Sequence, residues 1–175
     1  MLQIEYRAGD ATKPQGAGTK IIIHCVNDVG AWGAGFVLAL SRKWREPERQ
    51  YRLWYQSGEL DGVPFELGKV QMVKVTSDIF VANLIGQHGI RRRSGDGLPP
   101  VRYEAIRQGL ARVRQHAMTL KASVHMPRIG AGLAGGDWRV IEQIIVDELA
   151  AHDVAVTIYD LRLTLSDGVT NSQRT

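Results

Sequence analysis

The 175 residues hold one cysteine, Cys25. A lone thiol excludes any disulfide within the chain and any zinc site built on cysteines. No apolar run approaches the roughly 20 residues needed to cross a bilayer. Met1 to Asp10 alternates polar and apolar residues and lacks the charged-then-apolar head of a secretory signal, so the expectation is a cytoplasmic chain with no membrane partner. Neither sign of charge dominates: 22 Lys and Arg against 18 Asp and Glu leave +4, which tolerates a polyanionic partner without requiring one. No repeat is present and no ligand cluster stands out, so no metal and no cofactor are expected. With 44% hydrophobic and 23% charged residues, the composition is that of an ordinary soluble globular protein, long enough for a sizeable core. One domain over residues 1–165 and a polar, frayed tail over 166–175 are expected.

Glycine is abundant, with 19 residues, and it gathers at strand ends. Ile21-Ile22-Ile23 opens a buried strand, His24, Cys25, Val26, Asn27 and Asp28 close it, and Gly30, Gly33, Ala34 and Gly35 lead into a helix from Phe36. The spacing is not the G-x-G-x-x-G of a dinucleotide fold, and no Lys-Ser/Thr follows as in a P-loop. A strand, a glycine loop and a helix N-terminus still place backbone N–H groups at one point, where a phosphate or diphosphate binds. The pattern recurs after the strand Ser123–Met126, in Pro127, Arg128, Ile129, Gly130, Ala131, Gly132 and Leu133, with Asp137 as N-cap of the next helix. If the two strands are neighbours, their loops share one rim and suit a diphosphate between two sugars.

The remaining elements follow from periodicity. Leu2, Ile4 and Tyr6 mark a half-buried strand, and the helix from Phe36 to Tyr55 is broken or restarted at Pro47. Leu67–Lys74 and Phe80–Ile85 read as strands, the second ending in Gly86-Gln87-His88-Gly89. A helix spans 100–120, and Val154–Leu161 is the last strand. Arg91-Arg92-Arg93 forms a basic loop able to steer a polyanion.

In this order the pieces resemble the macrodomain family, over roughly residues 2–161. The resemblance rests on Gly9-Asp10, His24-Cys25-Val26-Asn27, Gly33-Ala34-Gly35, Met126 through Leu133, and Tyr159 with Leu161. It implies a three-layer α/β/α sandwich with a central mixed sheet, and ADP-ribose or a derivative as ligand. It implies that Asp10 takes the adenine amino group with the Ala11 backbone beside it, that Asn27 contacts the distal ribose, and that the two loops, including Phe36, hold the diphosphate. Two branches are similar. Trp32-Gly33-Ala34-Gly35 matches the yeast-type ADP-ribose 1''-phosphate phosphatases, and Met126 to Leu133 matches the terminal ADP-ribose glycohydrolases. The lysine of the second branch is absent after residues 80–85, and Ala134 stands where eukaryotic members have an aspartate. The expected activity is therefore hydrolysis at C1'' of the distal ribose, with phosphate the first leaving group. His24 is expected as general acid or base, and Asp137 as the carboxylate that activates a water or caps its helix. Removal of ADP-ribose from protein or nucleic acid, and non-catalytic reading of ADP-ribose, are the alternatives.

Overall fold

The computed structural model describes residues 1–90 and 97–161. The strands are β1 (Glu5–Ala8), β2 (Lys20–Asn27), β3 (Glu59–Leu60), β4 (Val63–Pro64), β5 (Val70–Lys74), β6 (Ile79–Gln87), β7 (Ser123–Met126) and β8 (Val156–Asp160). The helices are α1 (Phe36–Lys43), α2 (Glu46–Ser57), α3 (Tyr103–Leu120) and α4 (Trp138–Glu148). Six strands form a sheet in the order β1-β8-β7-β2-β6-β5. Every pair is parallel except β5 with β6, so the sheet is mixed.

β2 is apolar without alternation because both its faces are covered. Ile21 and Ile23 join the cluster that includes Ile106, Leu110 and Val113 of α3 and Ile141 and Ile145 of α4. Ile22 and Val26 join the opposite cluster with Val37, Leu40, Tyr51 and Trp54 of α1 and α2. Helices on both faces make the three-layer α/β/α sandwich. Pro47 lies in the first turn of α2, where its missing N–H costs nothing, and α1 ends before it at an extended Trp44.

This connectivity locates a crevice. The chain leaves β2 toward α1 and α2 on one face, and leaves the adjacent β7 toward α4 on the other. Loops that diverge from neighbouring parallel strands open a cleft at the strands' C-terminal ends.

Two readings of the sequence need correction. The first strand is only Glu5–Ala8 and wholly exposed rather than half-buried. It is an edge strand paired with β8 alone, and the core contact comes from Ile4 before it. The hairpin β3–β4 adds two strands to those expected, joined by Asp61-Gly62, both at positive φ (50° and 79°). The Arg91–Arg93 loop and the tail 166–175 lie outside the described residues. Among the described residues, no helix is long and apolar enough to cross a membrane, and no group of His, Cys, Asp and Glu could hold a metal ion.

Candidate functional site

At the C-terminal ends of β7, β2 and β6 lies a cleft of about 600 Å³. One wall is the loop from β2 into α1, with Asn27, Gly33, Ala34, Gly35 and Phe36; the other is the loop after β7, with Pro127 to Gly130 and Gly132 to Ala134. Gln87 and Ile90, from the end of β6, close the distal side. α1 starts from Gly35 at φ 79° and ψ −144°, a conformation that favours glycine, and no side chain caps it. The first turn therefore offers free N–H groups and the positive end of the helix dipole. Among the described residues, the amides of Gly33, Ala34, Gly132 and Leu133 have no intramolecular acceptor.

Gly33 and Gly132 are informative in another way. Neither has positive φ, and a Cβ added at either would meet nothing within 4 Å. Nothing in the protein's own packing demands glycine there. A ligand drawn close to the backbone would.

His24, at the floor, is 2% exposed. Its Nε2 bonds Asn83 Oδ1, and its ring meets Trp32 edge-on at 5.2 Å and Phe36 at 6.0 Å. Burial pulls its pKa down to about 4, against the opposing pull of the Asn83 bond. His24 is thus neutral near pH 7, so it can accept a proton there but cannot begin as an acid, which narrows the role expected from the sequence. Cys25, on the same floor, has its thiol pushed up to about 12 by burial and stays protonated.

The structure brings His24, Asn27, Gly33 to Phe36, Pro127 to Gly130, Gly132 and Leu133 to this cleft. The Asn27 amide, however, is spent on its own loop. Nδ2 donates to Ala31 O at 2.7 Å, and Oδ1 accepts from Val29 N, Ala31 N and the Tyr51 hydroxyl at 2.9–3.1 Å. Arg128 reaches Asp160 at 3.0 Å and stacks over Tyr6 and Trp138 at 5.3 and 5.2 Å. Ala131 packs against the α3/α4 core rather than lining the cleft. Asp10 and the buried Ala11 sit at the end of β1, beyond the cleft but on the same rim, where Asp10 Oδ1 accepts from Thr12 N and Oγ1 at 2.8 Å. Asp137 is not brought in. Its carboxylate accepts from Arg139 N at 2.9 Å as the α4 cap and lines a separate hollow with Tyr103 and Val140. Its position at N-cap, one turn past the glycine loop, turns it away from the cleft. Sequence reasoning missed Gln87 and Ile90 as lining residues. The signal was present, since a parallel strand ending in Gly86-Gln87-His88-Gly89 ends on the same rim.

No protein-family model matches the chain. A Bacteroides thetaiotaomicron protein of unknown function is 56% identical, with a TM-score of 0.86 over 91% of this chain and 99% of that one. A macrodomain protein from Streptomyces coelicolor is 49% identical, with a TM-score of 0.77 over 90% of this chain and 99% of its own. Chromodomain-helicase-DNA-binding protein 1-like of Danio rerio is 33% identical over 178 residues, 97% of this chain but 17% of that protein, so the chain spans only a small part of that relative. ADP-ribose glycohydrolase OARD1 of Bos taurus is 25% identical over 91% of this chain and 92% of its length.

Proposed function

The chain belongs to the macrodomain family, and on that premise we propose that it binds ADP-ribose and hydrolyses a substituent at C1'' of the distal ribose. The observation that carries binding is the pair of open glycines, Gly33 and Gly132, on facing loops whose neighbouring amides lack acceptors. A diphosphate between these loops leaves the distal ribose over His24 and the adenosine toward Asp10. The similarity to a protein named as an ADP-ribose glycohydrolase supports hydrolysis. ADP-ribose 1''-phosphate is the substrate we favour, because the described residues that line the cleft include no lysine to act as an amine nucleophile. The neutral His24 takes up the proton of the attacking water through a hydroxyl of the distal ribose, which passes its own proton to the ring as it accepts the water's.

A specific observation favours a second reading, that of a non-catalytic reader of ADP-ribose: among the described residues, no carboxylate lines the cleft. Calorimetry with ADP-ribose and phosphate release from ADP-ribose 1''-phosphate separate the two. The expected result is binding, weakened at least about tenfold by Gly33→Ala or Gly132→Ala with the thermal midpoint unchanged, and a release rate at saturating substrate that collapses in His24→Ala. Binding without release would leave the reader, and ADP-ribosylated protein or nucleic acid would be the next substrates assayed. Wild-type binding in Gly33→Ala and Gly132→Ala alike would remove the diphosphate from between the loops.

A further inference from the structure

Among the described residues, the one buried side-chain nitrogen or oxygen without a hydrogen-bond partner is Nδ1 of His24. Its lack of a partner follows from a row of amides across the sheet. Register pairs His24 with Asn83 and Asn83 with Gln71, on β2, β6 and β5. Two main-chain carbonyls orient the row. Gln71 Nε2 donates to Gln50 O at 3.0 Å, which leaves Oε1 to accept from Asn83 Nδ2, also at 3.0 Å. Asn83 Nδ2 donates as well to Pro47 O at 3.1 Å. A carbonyl only accepts, so neither amide can be turned over. Asn83 must present Oδ1 to His24, and the ring must answer with Nε2–H. A neutral imidazole has one N–H, so Nδ1 is a bare acceptor. The site lacks a donor, and a donor is what a sugar hydroxyl supplies.

We propose that Asn83 is a positioning residue that locks His24 in the Nε2–H tautomer, so that Nδ1 accepts a hydrogen bond from a hydroxyl of the distal ribose. The inference rests on the ADP-ribose reading above and assigns that site a selectivity. Ligands that bring a hydroxyl to His24 complete the row, and ligands that stop at the adenosine end do not. The hydroxyl enters past Phe36, whose ring borders both His24 and the cleft.

The test is nitrogen NMR on the full chain labelled with 15N-histidine, with the His24 signals assigned by comparison with His24→Gln. At neutral pH the free protein is expected to show His24 protonated at Nε2 and bare at Nδ1. Saturating ADP-ribose is expected to move the Nδ1 resonance in the direction of an accepted hydrogen bond, and saturating AMP, which has no distal ribose, to leave it in place. In Asn83→Asp, a carboxylate facing the ring stabilises the imidazolium. ADP-ribose affinity is then expected to fall about tenfold at pH 7 and to recover as pH rises and Nδ1 is freed, a recovery that loss of structure alone would not give. Should that variant fail to fold, the wild-type spectra decide. An Nδ1–H tautomer in the free protein overturns the inference. So does an unmoved Nδ1 while calorimetry shows ADP-ribose bound, and in that case the functional reading stands. Absence of any ADP-ribose binding overturns both.

Discussion

His24 and His125 are each 2% exposed, and burial lowers both pKa values to about 4, with Lys20 and Arg7 adding to the effect at His125. In the unfolded chain the same rings take up protons near pH 6.5. Between those values the unfolded state binds more protons than the folded one. Stability is therefore whole above about pH 6.5 and falls as pH drops toward 4. Urea unfolding from pH 7.5 to pH 4 should show midpoints that decline across this window. His125→Gln should lower the midpoint at pH 7.5, because Ser123 and Tyr159 each lose a bond of 2.8–2.9 Å, yet give a shallower decline. An unchanged slope would mean that His125 takes up its proton as readily in the folded protein as in the unfolded chain. The sequence made His24 legible, as a polar residue where an apolar strand gives way to a glycine loop. Its partner was not legible. Asn83 lies 59 residues away in the chain, and only strand register brings the two together. Its presence in the run Val81-Ala82-Asn83-Leu84-Ile85 was a clue, since a polar side chain 0% exposed needs a partner, but the clue does not say which.

Helices and strands were readable where a single face decides the pattern. Ile106, Leu110 and Val113 repeat at helical spacing because α3 buries one stripe. What the pattern hides is how closely two elements approach. Gly109 faces the sheet from α3, and a Cβ there would stand 2.4 Å from Leu84 Cγ. Alanine favours helix over glycine by about 1 kcal/mol, but Leu84 is 0% exposed and cannot swing away, and overpacking costs roughly 1–3 kcal/mol. Gly109→Ala should thus destabilise, and a raised thermal midpoint would show that α3 can slide. The α4 terminus makes the opposite case. Asp137 caps the helix on its exposed side, so Asp137→Ala should cost about 1 kcal/mol and leave ADP-ribose affinity and turnover as they were. A collapse of turnover without loss of stability would restore Asp137 to the chemistry. The sequence offered both roles for this residue, cap and catalyst, and only the direction of the carboxylate separates them.

At the scale of the molecule, parallel pairing sets the length of the site. β1, β8, β7, β2 and β6 all end on one rim, with Asp10 after the first and His24 near the end of the fourth. Three strand spacings of about 4.8 Å separate their ends by roughly 14 Å, a span suited to an extended dinucleotide-like ligand with a diphosphate between two sugars. The two glycine loops, legible in the sequence as separate motifs, become one cleft only through the order of the strands, which no local pattern encodes. If ADP-ribose lies along this rim, its ends report separately. Asp10→Ala should weaken AMP and ADP-ribose alike, whereas His24→Gln should weaken ADP-ribose and spare AMP. Effects at sites more than 7–10 Å apart without shared partners add to within about 0.5 kcal/mol, so the double variant should lose the sum of the two single losses in calorimetry. A coupling above about 1 kcal/mol would mean that the ligand is folded rather than extended, or that the loops close over both ends as one unit. The AMP measurements tell these apart: a folded ligand makes His24→Gln weaken AMP as well, and concerted loop closure does not.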